Sequence, residues 1–276
     1  MKEVPKSAIT EASSYIRKQT DFTASIGLIL GTGLGALADE MTVKNEIPYE
    51  NIPHFPVSTV ESHSGKLLFG TIGGKNVIAM KGRFHYYEGY DMKQVTFPVR
   101  VMKELGIKIL VVSNACGGVN PQFETGDLVM ITDHINFQGH NPLIGSNDDA
   151  LGPRFPDMYN CYDKELRDLA EQTALEERIP LRKGVYVAFT GPNLETSAEY
   201  RMVRILGGDL AGMSTVPEVI AGRHQGTRVL GFSIVTDMGL PDAPAPCSLE
   251  QVLKAAAVAE PKMTRLVTKT IERMKI

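Results

Sequence analysis

The sequence predicts an α/β fold in a single domain spanning residues 1–276, with a mixed, twisted β-sheet flanked by helices. Three observations carry that prediction. Short apolar runs such as Ile26-Gly27-Leu28-Ile29-Leu30 and Ile107–Ser113 alternate with longer segments of helical periodicity, the pattern of a sheet covered on both faces. Several of these runs empty into glycine-rich polar turns, as at Gly31-Thr32-Gly33-Leu34-Gly35. The composition is also that of a globular chain, 43% hydrophobic and 22% charged with 26 glycines, and no compositional break marks a linker.

The elements follow in order. A first helix is expected around Ile9–Gln19, then the buried strand Ile26–Leu30. Gly31-Thr32-Gly33-Leu34-Gly35-Ala36 fits the G-x-G-x-x-A dinucleotide fingerprint, which also needs a second strand ending in an acidic residue about 20 positions later. That region, Asn45–Pro53, reads as a proline-punctuated loop with no strand leading into it. The glycine turn is therefore kept as an anion-binding loop and the dinucleotide is dropped. Lys66–Thr71 and Lys75–Met80 flank Gly73-Gly74 as a hairpin, which makes the sheet mixed. A helix over Met92–Leu105 leads to the strand Ile107–Ser113 and then to Asn114–Asn120, whose glycines fit either a ligand approach or a tight turn. Beyond the strand Asp127–Asn136 and a polar excursion over Phe137–Tyr162, the alternation resumes. It runs through helix Asp163–Glu177, strand Gly184–Thr190, helix Ser197–Leu206, strand Asp209–Met213, helix Pro217–His224 and strand Arg228–Thr236. A final helix is expected from about Ser248 to Met274, kinked at Pro261.

Charge and cysteines narrow the function. Lys and Arg number 29 against 32 Asp and Glu, a net charge of -3 without a basic run, so nucleic acid is a poor partner. No segment approaches the ~18 apolar residues of a membrane span, and the N-terminal stretch has no apolar core, so a cytoplasmic protein is expected. Cys116, Cys161 and Cys247 are widely spaced and odd in number, which predicts reduced thiols rather than disulfides or a zinc site. Chemistry concentrates in Lys81–Tyr90. There a buried strand delivers Arg83, a fork of donors suited to phosphate or carboxylate, and His85, a donor of tunable charge. A surface arginine beside an internally satisfied histidine is the competing reading.

Five strand-end segments occur together. Gly31–Gly35, Gly82–Tyr90, Asn114–Gly118, Gly191-Pro192-Asn193-Leu194-Glu195-Thr196 and Gly212-Met213-Ser214-Thr215-Val216-Pro217-Glu218 jointly resemble the trimeric purine nucleoside phosphorylases, nearly end to end. The resemblance implies a partly barrel-like nucleoside phosphorylase fold, in a homotrimer. It also implies reversible cleavage of a purine nucleoside by phosphate, without metal or organic cofactor and with inorganic phosphate as co-substrate. It implies phosphate binding by Thr32, His63, Arg83, His85, Ala115 and Ser214, and ribose contacts by Tyr87, Met213 and Leu249. Phe155 matches an aromatic that a neighbouring subunit lends to the sugar pocket; core packing is the alternative for Phe155 and Met213. The purine falls to Ala115, Cys116, Gly117, Glu195, Ala211, Gly212 and Asp237. His85, Glu195 and Asp237 are the residues expected to carry the chemistry.

Two positions depart from the 6-oxopurine pattern. Asp237 stands where those enzymes carry Asn, and Leu249 where they carry a His for the ribose 5'-hydroxyl. Asn can donate to a 6-oxo group and accept from N7-H, whereas an ionised Asp only accepts. The Thr236-Asp237 strand end resembles the methylthioadenosine phosphorylases, and Leu249 agrees with it, since a Leu cannot bond the 5'-hydroxyl but could pack a methylthio group. Glu195 points the other way, matching the carboxylate that accepts from N1-H of hypoxanthine or guanine. An ionised Glu195 against adenine N1 would leave an unpaired contact costing ~1–3 kcal/mol. Inosine and guanosine are the expected substrates, with adenosine or 5'-methylthioadenosine as the runner-up. A nicotinamide-dependent oxidoreductase and a non-enzymatic nucleoside-binding module are the readings from other classes.

Overall fold

The computed structural model describes residues 5–31, 35–57, 65–243 and 245–276. The chain runs α1 (Lys6–Gln19), β1 (Ile26–Leu30), α2 (Gly35–Asp39), β2 (Thr42–Pro48), β3 (Lys66–Ile72), β4 (Lys75–Lys81), α3 (Met92–Glu104) and β5 (Ile109–Gly118). It continues with β6 (Leu128–Asn136), α4 (Lys164–Glu176), β7 (Arg182–Ala188), α5 (Ser197–Ile205), β8 (Leu210–Gly212), α6 (Val216–His224), β9 (Arg228–Met238) and α7 (Leu249–Arg273). The described strands form one sheet in the order β2-β3-β4-β1-β5-β8-β7-β6-β9, and β9 pairs back onto β5. The last five strands of that order thus close into a barrel. The pairing is mixed: β1 lies parallel to β4 and β5, while β2–β3, β3–β4, β5–β8 and β6–β9 are antiparallel.

Strand alternation divides the core. Along β1, Ile29 joins one buried cluster with α1, α3 and α6, whereas Ile26, Leu28 and Leu30 join another with α2, α4 and α7. Each fully buried aliphatic side chain contributes about 1.5–3 kcal/mol relative to exposure. Helix starts are set locally. Asp91, Thr196 and Ser248 each accept from the backbone N–H three residues on, and Gln94, Glu199 and Gln251 return the bond to the cap residue's own N–H. α7 continues through Pro261 as one helix. No helix among the described residues is long and apolar enough to cross a membrane.

Two expectations need correction. Asn45–Pro53 does have a strand leading into it: β2 pairs antiparallel with β3 from Thr42↔Thr71 to Pro48↔Lys66. Being an edge strand with mostly exposed side chains, it lacks the apolar alternation that marks a strand in sequence. Its antiparallel setting still gives no second parallel strand for a dinucleotide unit. Asn114–Gly118 is the end of β5 rather than a turn, with Gly117 and Gly118 paired to β8 on one side and β9 on the other. Glycine is required there by crowding, since a Cβ on Gly118 would sit 2.8 Å from both Met238 Sδ and Val235 Cγ1.

Candidate active site

Where β1, β4, β5, β8 and β9 end together they enclose a cavity of about 410 Å³. Its walls include Arg83, His85, Ala115 and Ser214; Tyr87, Met213 and Leu249; and Cys116, Gly117, Glu195, Ala211, Gly212 and Asp237. The expected phosphate, ribose and purine residues are thus brought into one space, with three exceptions. Thr32 and His63 lie outside the described residues. Phe155 does not line the cavity; it is 86% exposed, with the Arg154 guanidinium 5.5 Å from its ring centre, so it is not a core residue.

The cationic end is held rigidly. Arg83 is only 2% exposed, which excludes the surface reading. Its Nε and Nη2 donate to Glu218 Oε1 at 3.0 and 2.7 Å, and Nη1 donates to Ser113 O at 2.6 Å. A buried arginine of this kind survives only with its charge and donors matched. Gly31 makes room for it: a Cβ there would lie 2.4 Å from Ser113 O and 3.1 Å from Arg83 Nη1. Glu88 Oε1 accepts from the His85 backbone N–H at 2.8 Å and lies 3.0 Å from its Nδ1, while the His85 ring stacks on Tyr87 at 4.7 Å. Burial, then the Glu88 charge, pushes the Tyr87 phenol up, so it remains a hydroxyl donor.

Ser214 is placed by a strained neighbour. Thr215 has φ +72°, a conformation that β-branched residues avoid. It is held there because Asn114 Nδ2 donates to its Oγ1 at 2.8 Å, with the Ser214 hydroxyl 3.0 Å away. The kink delivers Ser214 to the cavity just ahead of the α6 N-terminus, whose partial positive charge favours anions.

At the other end the titratable groups are acids. Burial raises Glu195 from its ordinary carboxylate value, and the charges of Asp237 and Glu199 push the same way, against hydrogen bonds from its own backbone N–H and from Tyr200. Glu195 Oε1 is buried without a hydrogen-bond partner. Asp237 is likewise raised by burial, against hydrogen bonds from Thr236 and Cys247. Thr236 Oγ1 stands 2.9 Å from Asp237 Oδ1. Cys116, also on the cavity wall, is pushed strongly up by burial and by both acids, which leaves it an inert thiol.

Sequence reasoning missed Glu218 as the counter-ion of Arg83, Tyr200 as the partner of Glu195, and Cys247 as a partner of Asp237. Glu218 stood inside a quoted motif, but nothing in one sequence pairs it with a residue 135 positions away. Tyr200 and Cys247 carry no local signal at all.

Comparison with known proteins agrees with this geometry. Residues 25–272 match the family model of the phosphorylase superfamily. Purine nucleoside phosphorylase 1 of Geobacillus stearothermophilus is 51% identical over 98% of both chains, and the Bos taurus purine nucleoside phosphorylase is 44% identical over 94% of this chain and 92% of its own. Crystal structures of the Schistosoma mansoni purine nucleoside phosphorylase superpose with TM-scores of 0.92 in complex with inosine and 0.91 in complex with adenosine, at 42% and 43% identity. The first covers 98% of this chain and 97% of its own, the second 97% of each. With a full-length family match, a closed five-strand barrel and one cavity joining a cationic end to an acidic one, the chain belongs to the phosphorylase superfamily and, within it, to the purine nucleoside phosphorylases.

Proposed function

We propose that this enzyme cleaves purine ribo- and deoxyribonucleosides with inorganic phosphate, reversibly, to free base and pentose 1-phosphate, favouring inosine and guanosine. The observation that carries this is the polarity of that cavity. Arg83, His85 and Ser214 gather donors at one end, and Glu195 and Asp237 gather carboxyls at the other, with Tyr87 and Met213 also on its walls. A phosphate dianion needs many donors, and a purine edge needs directed polar groups. No cofactor takes part in this chemistry, phosphate being the second substrate, and neither nucleic acid nor a membrane is a partner.

The site has the parts for catalysis without a covalent nucleophile. As the glycosidic bond stretches, positive charge builds on the sugar and negative charge on the purine. Phosphate held by Arg83, His85 and Ser214 beneath the sugar stabilises that cation and then bonds to its anomeric carbon. Asp237, by a proton or hydrogen bond, stabilises the leaving purine. Tyr87 and Met213 hold the ribose. Phe155, exposed in one chain, is assigned to the sugar pocket of a neighbour in a homotrimer, and the setting is the cytoplasm.

The 6-oxo preference rests on Glu195, suited to accept from N1-H. A second reading, adenosine or 5'-methylthioadenosine, is favoured by Asp237 and by Leu249, an apolar side chain on the cavity wall that could pack a methylthio group but not bond a 5'-hydroxyl. The test is phosphate-dependent base release from inosine, guanosine, adenosine and 5'-methylthioadenosine, compared by kcat/KM. Inosine and guanosine are expected to lead; a lead by 5'-methylthioadenosine would move the assignment to the second reading.

A further inference from the structure

The purine end of the cavity holds two acids, and the one backbone donor acting on them is the N–H of Glu195 itself, which leaves Oε1 of that carboxyl without a partner. The titratable groups that act on Glu195 are Tyr200 and Glu199 from α5 and Asp237 from β9. Those that act on Asp237 are Cys247 and the hydroxyl of Thr236, and the charges of both acids bear on Cys116 and Tyr200. No lysine, arginine or histidine is among them. The partners can also turn. Thr236 Oγ1 lies 2.9 Å from Asp237 Oδ1 and 3.2 Å from Cys116 O. It can donate to an ionised Asp237, or donate to the Cys116 carbonyl and accept from a protonated one. Cys247 Sγ likewise has Ser248 O as a second acceptor, at 3.9 Å. A Tyr200 hydroxyl can donate to an ionised Glu195 or accept from a protonated one. Thus each acid can gain or lose a proton without leaving its neighbour unsatisfied, and Glu195 Oε1 is buried with no partner to oppose protonation.

Purines differ in how many protons they require there. With inosine, an ionised Glu195 accepts from N1-H, and the hydroxyl of a protonated Asp237 donates to O6, where the leaving anion's charge collects. That is one proton on the pair. With adenosine, N1 is an acceptor and requires a protonated Glu195. A protonated Asp237 donates to N7 and passes its proton there as the glycosidic bond breaks, leaving a carboxylate that accepts from N7-H and the 6-amino group. That is two protons, and the empty pair suits neither base.

We infer that Glu195 and Asp237 act as one carboxyl pair whose proton count selects the purine, so that 6-aminopurine nucleosides become substrates of the same site when the pair holds a second proton. The inference rests on the phosphorylase reading above. The burial that raises both acids places the exchange nearer neutrality than free carboxylic acids would.

Two measurements decide it. The first is kcat/KM for adenosine and inosine at saturating phosphate from acid to mildly alkaline pH. Phosphate's own titration cancels in their ratio. The adenosine-to-inosine ratio should rise as pH falls, by roughly tenfold per unit at its steepest, and Glu195→Gln, whose amide offers N1 either a donor or an acceptor at any pH, should flatten that slope. A slope unchanged in Glu195→Gln would overturn the assignment to this pair. The second is calorimetry of adenosine and inosine binding, without phosphate, to the unaltered enzyme in buffers of different ionisation enthalpy, which stays decisive if the variant fails to fold. Adenosine should take up roughly one proton more than inosine; equal uptake overturns the inference. Unequal uptake without phosphorolysis of either nucleoside would instead overturn the phosphorylase reading and leave the pair intact.

Discussion

The two ends of the cavity are built on opposite principles. At the phosphate end, Arg83 is tied to Glu218 and to the Ser113 carbonyl, His85 is tied to Glu88, and Ser214 is set by a strained Thr215. At the purine end, Glu195 and Asp237 face a phenol, a thiol and a hydroxyl. Ion pairs and backbone strain fix donors in place, whereas rotatable O–H and S–H groups tolerate either charge state. The contrast teaches that the constant substrate, phosphate, is met by preorganised charge, while the choice of base rests with groups that follow the proton.

The largest expected effect comes from breaking the rigid end. Glu218→Ala strands a buried guanidinium, and removing one partner of such a pair typically costs about 3–5 kcal/mol. Denaturant unfolding should show a loss of that order, with a raised KM for phosphate in whatever enzyme folds. A loss under about 1 kcal/mol would mean that Arg83 relaxes toward solvent and that this end is not rigid.

At the titratable end, Asp237→Asn should act on both selectivity and stability. Its amide can donate to O6 and accept from N7-H at any pH, so the inosine-to-adenosine ratio should increase; an unchanged ratio would remove Asp237 from base selection. The stability effect has a definite sign. A carboxyl raised by burial costs the folded state nothing below its unfolded pKa, and the cost grows as pH climbs through the raised folded value. Asp237→Asn should therefore unfold at higher denaturant than the parent at neutral to mildly alkaline pH, with that advantage fading in acid. An equal gain at every pH would point to packing instead.

Phe155→Ala should have the smallest effect on the fold, since the ring is 86% exposed. A raised nucleoside KM without a change in the unfolding midpoint is expected if the ring completes a neighbour's site. Unchanged KM would leave both ends of the cavity to a single chain.

What the sequence made legible follows from the range of each interaction. The apolar runs of β1, the β3–β4 hairpin, β5 and β9 declared themselves through local burial, and the strand-end residues of the cavity through their motifs. β2 did not, because an exposed edge strand has no apolar face to betray it. The closure of β9 onto β5 was implied only by the resemblance, since pairings such as Ile109↔Arg228 join residues distant in sequence. The partners that give the site its character, Glu218 on Arg83, Tyr200 on Glu195 and Cys247 on Asp237, were invisible for the same reason. The opposing signals of Glu195 and Asp237, and their place in one purine site, were legible; the rotatable groups around them were not.

The most direct test of the whole account follows base and sugar phosphate together from inosine, with and without phosphate. Hypoxanthine and ribose 1-phosphate should appear in equal amounts, only when phosphate is present, and with a rate that saturates in phosphate. Base release that proceeds unchanged without phosphate, or fails with it, would contradict the assignment of Arg83, His85 and Ser214 to a phosphate substrate.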